Sequence, residues 1–303
     1  MKKNLIWQFS AASSVIGGIV ATYAFGAYKR RKENKMRSDI LPKYRRLVDK
    51  NLLTPADWAF YTIWPTIYAG SIGLAVHQAL PSNRNHERYV KARPWLALCY
   101  RLNAAFGYLF SRQDQKSVIG SQVVTILTLP AALKLHQALE IGKTPVAPPE
   151  KYLRIPVSLY AGWLSVASMV AGAGTLIASG TWKRPKQDEE LAAGVVAATA
   201  GLGYVAARRL NDPVYLVPFV VGFSGIAVKQ YGKNNLLAGV AGALALAKLA
   251  VLVKYLPKGT FKRKRVIEED DNYDLGAEFE MVDPTPQQIK RERMKEVGPA
   301  TAM

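Results

Sequence analysis

Long apolar blocks alternate along this chain with short, strongly basic segments. The blocks fall at residues 5–28, 55–80, 92–110, 118–140, 152–181, 191–210, 213–231 and 236–256. A hydrocarbon core of about 30 Å is crossed by roughly 20 apolar residues in helical form. Inside it every backbone N–H and C=O must be paired by the spanning structure itself, which leaves helices or a closed barrel. Barrel strands alternate apolar and polar residues over stretches of about ten, and none of the eight blocks does so. The pattern therefore predicts an all-α, polytopic transmembrane helix bundle. The sixth and seventh blocks are rich in Gly and Ala, and Pro213 and Pro218 interrupt the start of the seventh. Small residues suit membrane helices, because they let neighbours approach closely.

The first block follows Met1-Lys2-Lys3 and ends in Lys29-Arg30-Arg31-Lys32. It is longer than the apolar region of a signal peptide, and a cleavage site is not normally followed by such a cluster. It reads as a retained anchor helix. Residues 29–54 then carry ten Lys/Arg against three acids. Basic residues on the two sets of alternate loops nearly balance. The positive-inside rule therefore gives only a slight preference, for placing the 29–54 side inside.

Composition sharpens this picture in three places. The 303 residues hold 41 Lys+Arg against 22 Asp+Glu, a formal net charge of +19. Residues 257–303 hold nine basic and ten acidic residues, so the excess lies before them. They begin with the run Lys262-Arg263-Lys264-Arg265 and continue with Glu268-Glu269-Asp270-Asp271, and read as a soluble mixed-charge tail. The single cysteine, Cys99, excludes an internal disulfide framework and Cys-cluster metal sites. A mean hydropathy of zero averages the apolar spans with these charged parts.

Three blocks carry a recognisable arrangement of aromatic and amide residues. The second reads Pro55-Ala-Asp-Trp58-Ala-Phe60-Tyr-Thr-Ile-Trp64-Pro-Thr-Ile-Tyr68, the third Leu102-Asn103-Ala-Ala-Phe106-Gly-Tyr-Leu109-Phe110, and the fifth Tyr160-Ala-Gly-Trp163-Leu-Ser165-Val-Ala167. Taken together and in this order they resemble helices two, three and five of the TspO/translocator-protein family, the tryptophan-rich sensory proteins. Phe106 stands where that family usually has Trp, and Ala171 where it usually has Asn. The resemblance covers roughly residues 50–182. It implies a five-helix TspO-like core plus three additional helices. The chain then divides into an N-terminal transmembrane helix (1–28), the basic loop (29–54), TspO-like helices two to five (55–182), three further transmembrane helices (183–256) and the tail (257–303).

The resemblance also implies an aromatic-lined pocket for tetrapyrroles, sterols or similar lipophiles, built from Trp58, Phe60, Trp64, Tyr68, Asn103, Phe106, Tyr160 and Trp163. Flat aromatic faces give large, rigid contact area to such ligands. The plainer reading of Trp58, Trp64 and Tyr68 is core packing, with Trp58 anchored at the membrane interface. Asn103 reads first as an interhelical hydrogen-bonding group.

Other polar residues inside the blocks are few. Lys134 lies near enough to a span end to snorkel, whereas Lys248 lies twelve residues from Leu236 and eight from Leu256. Lys248 is expected to meet a lipid phosphate, a polar cavity or a neighbouring subunit. His77 and His136 fall at the same level of parallel helices, which makes axial haem ligation an alternative to simple hydrogen bonding. No Asp or Glu lies deep in a span, unlike the pattern of coupled transporters. No phosphate loop, catalytic constellation or metal cluster is found, so no enzyme activity, catalytic residue or metal is expected.

Arg30, Arg31, Lys32, Arg37, Arg45 and Arg46 of the basic loop, with Lys248, are candidates for contact with anionic lipid or a partner. A bound phospholipid such as cardiolipin is the expected small-molecule companion, with a tetrapyrrole as the alternative. Nucleic acid is not expected, since no binding module accompanies the charge. The departures at Phe106 and Ala171, the small-residue helices, the basic loop and the tail favour one function. It is that of a non-catalytic accessory subunit of a larger organellar, respiratory-type membrane complex, gripped through 29–54 and 257–303. A stand-alone TspO-like receptor or transporter is the alternative. The N-terminus is free of acids up to Glu33, which favours the mitochondrial inner membrane over a bacterial plasma membrane.

Overall fold

A computed structural model describes residues 2–35, 50–112, 114–183 and 188–261. Among these, eight long helices follow the eight apolar blocks. They are α1 (Lys2–Lys35), α2 (Asp57–Ala79), α3 (Glu87–Arg112), α4 (Gln115–Ala138), α5 (Glu150–Ala178), α6 (Glu189–Leu210), α7 (Val217–Gln230) and α8 (Asn235–Tyr255). Several outrun their apolar block, because helical geometry continues through polar residues once the span has nucleated it. Pro213 opens a 3₁₀ turn over Pro213–Leu216, and Pro218 falls in the first turn of α7. A proline is tolerated there, since its missing N–H would have no helical partner.

Seven of the eight helices, α7 together with its leading 3₁₀ turn, are long and apolar enough to cross a membrane. The exception is α3, which had been expected to span over 92–110. Its 26 residues include Arg93 and Arg101 as well as charges at both ends. Both arginines have partners in the fold: Arg93 is buried, and Arg101 donates to the hydroxyls of Ser10 (2.8 Å) and Ser14 (3.2 Å) on α1.

The first five helices close into a ring. α1 packs against α2 and α3, α3 against α4, α4 against α5, and α5 against α2. The last three form a second layer: α7 lies against α5 and α2, and α8 against α7 and α6. Contact between α2 and α5 is close enough that a Cβ on Gly70 would overlap the Pro156 ring. Gly203 admits Phe219 of α7 to the surface of α6 in the same way. Such approaches supply the dispersion contacts that hold helices together where lipid is as apolar as the helix surface.

Hydrogen bonds fix which helix ends share a level. Taking the α1 N terminus as the upper end, Gln8 donates to the carbonyls of Gln78 (3.1 Å) and Leu80 (2.9 Å) at the end of α2. Asn211 ends α6 in the left-handed conformation, which Asn tolerates better than most residues. Its side chain donates to the Gly142 carbonyl (2.7 Å) and accepts from the Phe261 N–H (2.9 Å). At the lower end, Asn51 donates to the Val170 carbonyl (2.8 Å), and Gln230 to that of Leu52 (2.7 Å).

Candidate functional site

Aromatic side chains meet in the ring interior. Trp64 of α2 lies 4.9 Å from Tyr68, 6.0 Å from Tyr160 and 6.4 Å from Trp163 between ring centres. Phe60 meets Trp163 edge-on at 5.3 Å. Asn103 of α3 donates to the Tyr68 hydroxyl (3.2 Å) and to the Thr22 hydroxyl of α1 (3.1 Å). Six of the eight expected pocket residues thus form one connected cluster across α2, α3 and α5.

The other two stand apart. Trp58 is 41 % exposed in the first turn of α2. It suits the interfacial anchoring of a large amphipathic ring rather than a pocket wall. Phe106 stacks on Phe110 at 5.4 Å along α3. Three residues from Asn103, it lies on the same side of α3 one turn lower, and its ring pairs with Phe110 rather than with the cluster.

A residue the motifs did not single out completes the interior. Tyr100 of α3 stacks on Tyr160 of α5 at 5.9 Å with planes 23° apart. These two helices are separated in the ring by α4, so the stack bridges the interior. Tyr100 is 1 %, Tyr160 2 % and Trp163 2 % exposed. The available signal was spacing: Tyr100 lies three residues before Asn103, hence on the same face of α3.

Buried polar groups at the upper end were equally hidden in the sequence. Arg93, 1 % exposed, donates to the Gln78 side-chain oxygen (2.8 Å) and to the carbonyls of Gln78 (3.2 Å), Asn83 (2.9 Å) and Arg84 (2.8 Å). A guanidinium there satisfies carbonyls left open at the end of α2 and meets the negative pole of that helix. Arg88 holds Glu150 through two hydrogen bonds (3.2 and 3.0 Å), and Arg154 donates to the same carboxylate (2.9 Å).

Each of the two histidines has a partner within the fold. His77 Nδ1 lies 2.8 Å from the Tyr89 hydroxyl. His136 Nε2 lies 2.8 Å from Asp212. Asp212, on the turn after α6, is 4 % exposed. Among the described residues no three His, Cys, Asp or Glu side chains gather as a metal site.

Of the expected anionic contacts, Arg30 and Arg31 are exposed on the last turns of α1. The Lys32 side chain and Arg37, Arg45 and Arg46 lie outside the described residues, as does the tail from 262. Lys248 is buried, with its Nζ 5.0 Å from the centre of the Tyr204 ring of α6.

The profile of the TSPO-like protein family matches residues 12–254 of the chain. The chain belongs to the TSPO-like family. The match runs from within α1 to the last turn of α8, so it takes in the outer layer as well as the ring. No curated protein and no solved structure matches the chain. In this TSPO-like protein the interior aromatic residues are in contact with one another.

Proposed function

We propose that this TSPO-like membrane protein is a non-catalytic accessory subunit of a larger organellar complex of respiratory type, in the mitochondrial inner membrane. One observation carries the reading: the Tyr100–Tyr160 stack bridges the ring interior, with both rings almost fully buried. A receptor for flat lipophiles needs an apolar cavity with unspent contact surface. Here the indoles, phenols and the Asn103 amide are spent on one another. What remains available is the outer surface, where Leu202, Leu246 and Val253 are 72 %, 68 % and 71 % exposed. In a membrane such faces meet lipid or the helices of neighbouring subunits.

The test is native electrophoresis of source membranes in mild detergent, with this chain identified by mass spectrometry in each band. Migration only within a large assembly, co-purifying with inner mitochondrial membranes, is the expected result. Migration as a lone monomer overturns the reading. Saturable quenching of tryptophan fluorescence by a porphyrin or sterol, on folded wild-type protein, would move the function to the receptor alternative.

A further inference from the structure

Lys248 lies seven residues before Tyr255, the last residue of α8, hence about 10 Å below the upper end at 1.5 Å per residue. Its partner ring, Tyr204, meets Phe261 edge-on at 6.3 Å. Phe261 lies 4.9 Å from Tyr255. Three more cations gather on these rings: Arg208 over Phe261 at 5.5 Å, and Lys254 and Lys258 over Tyr255 at 5.4 and 6.0 Å.

Among the described residues none of the four cations is paired with a carboxylate. Asp212 adjoins Asn211, which holds the Phe261 N–H, but its oxygens are committed to His136 and to the Val214 N–H. Cation–π contact offsets part of the cost of bringing four like charges together. The remaining field attracts an anion.

The depth of the charges selects the anion. Three lie at the helix ends and one lies roughly two turns below, within the span. A soluble phosphate or an acidic peptide can reach the upper three. Lys248 is buried against Tyr204 and acts through its field, which a molecule lodged in the bilayer interface meets and a soluble ion does not. Below the charges, the outer surface of α6 and α8 offers Leu202 and Leu246 to acyl chains, and an added Cβ on Gly201 would meet nothing.

We propose that the upper ends of α6 and α8 form a binding site for an anionic phospholipid. Its headgroup phosphate lies among Arg208, Lys254 and Lys258, within the field of the buried Lys248, and its chains run down the outer surface of α6 and α8. This site is independent of the accessory-subunit reading and would serve a lone protein equally.

The experiment is native mass spectrometry of the full chain in mild detergent, titrated with cardiolipin, phosphatidylglycerol or phosphatidylcholine. Anionic lipid is expected to bind about tenfold or more tightly than phosphatidylcholine. The R208Q/K254Q/K258Q variant is expected to lose that preference, K248M to weaken it, and K116Q/K233Q, at exposed positions of the opposite end, to leave it intact. Should the triple variant fail to fold, Lys258→Gln alone, at an exposed 3₁₀ position, is expected to lower the preference about threefold. Equal binding of all three lipids by wild type overturns the proposal, as does full retention of the preference in the folded triple variant or, failing that, in K258Q. Preference that emerges only after E268Q/E269Q/D270N/D271N also overturns it, since the occupant would then be the chain's own acidic run.

Discussion

His136 Nε2 and an Asp212 carboxylate oxygen lie 2.8 Å apart, both almost wholly buried, and join the end of α4 to the turn between α6 and α7. The pair ties the five-helix ring to the outer layer. The second Asp212 oxygen accepts the Val214 N–H (3.0 Å) and so caps the 3₁₀ turn that leads into α7. Removing one partner leaves the other buried and unpaired, which costs about 1–3 kcal/mol. Asp212→Ala should therefore lower the melting temperature more than His136→Ala, because it also removes the cap. Thermal unfolding followed by tryptophan fluorescence would show equal effects if the cap contributes nothing.

The filled ring interior makes a gain-of-binding prediction. Tyr100→Ala should destabilise the protein by about 3–5 kcal/mol through the cavity it opens. The same cavity should let a benzene-sized apolar quencher such as iodobenzene quench Trp64 and Trp163 fluorescence saturably, with no saturable quenching expected in wild type. Absence of binding by a folded Tyr100→Ala protein would show that the interior is closed by more than this one ring.

Arg93 is expected to resist conservative change. Its guanidinium serves a side-chain oxygen and three carbonyls at once. A lysine brings one point charge with three donors and lacks the planar fork. Arg93→Lys should lose about 2 kcal/mol or more by leaving carbonyls unserved. Hydrogen exchange at the last turn of α2 should rise in the variant, and exchange in α8 should not.

Close packing of α2 on α5 predicts the effect of size at Gly70. Gly70→Val drives its side chain into Pro156 and should prevent assembly of the ring, read as loss of monodisperse protein on size exclusion. Gly17→Ala, where an added Cβ meets nothing within 4 Å, should behave as wild type or slightly better.

Asp114 gives a pH-dependent prediction. Its side chain accepts the Ser117 hydroxyl (2.7 Å) and the Ser117 N–H (2.9 Å) at the start of α4. These bonds, first the hydroxyl, hold its pKa below the ordinary aspartate value of 3.8. A depressed carboxyl contributes stability that is present above the unfolded pKa and is lost as pH falls through the folded one. Amide exchange protection in the first turn of α4 should hold at neutral pH and weaken below about pH 4. Asp114→Asn should flatten that dependence.

Eight helices were legible because a bilayer-length run of apolar residues admits few other structures. Phe60, Trp64, Tyr68, Asn103, Tyr160 and Trp163 were legible as a group through the motif spacings that also pointed to the family. Tyr100, Arg93 and the His136–Asp212 pair were not. Each acts across helices remote in sequence, and no local period encodes which helix lies opposite. Trp58 and Phe106 share motifs with the interior residues, yet Trp58 is exposed at the start of α2 and Phe106 pairs with Phe110 one turn below Asn103.

Sequence alone therefore determined the solvent, the secondary structure and the family, since all three follow from local apolar length and short-range spacing. The tertiary structure decided that α1 stands between α2 and α3, that the ring interior is occupied by its own tyrosines, and that Lys248 shares an aromatic cluster with three cations. Those outcomes depend on which helix faces pack together. That choice is made by close contact at small residues and by pairing of buried polar groups, neither of which is expressed within any single helix.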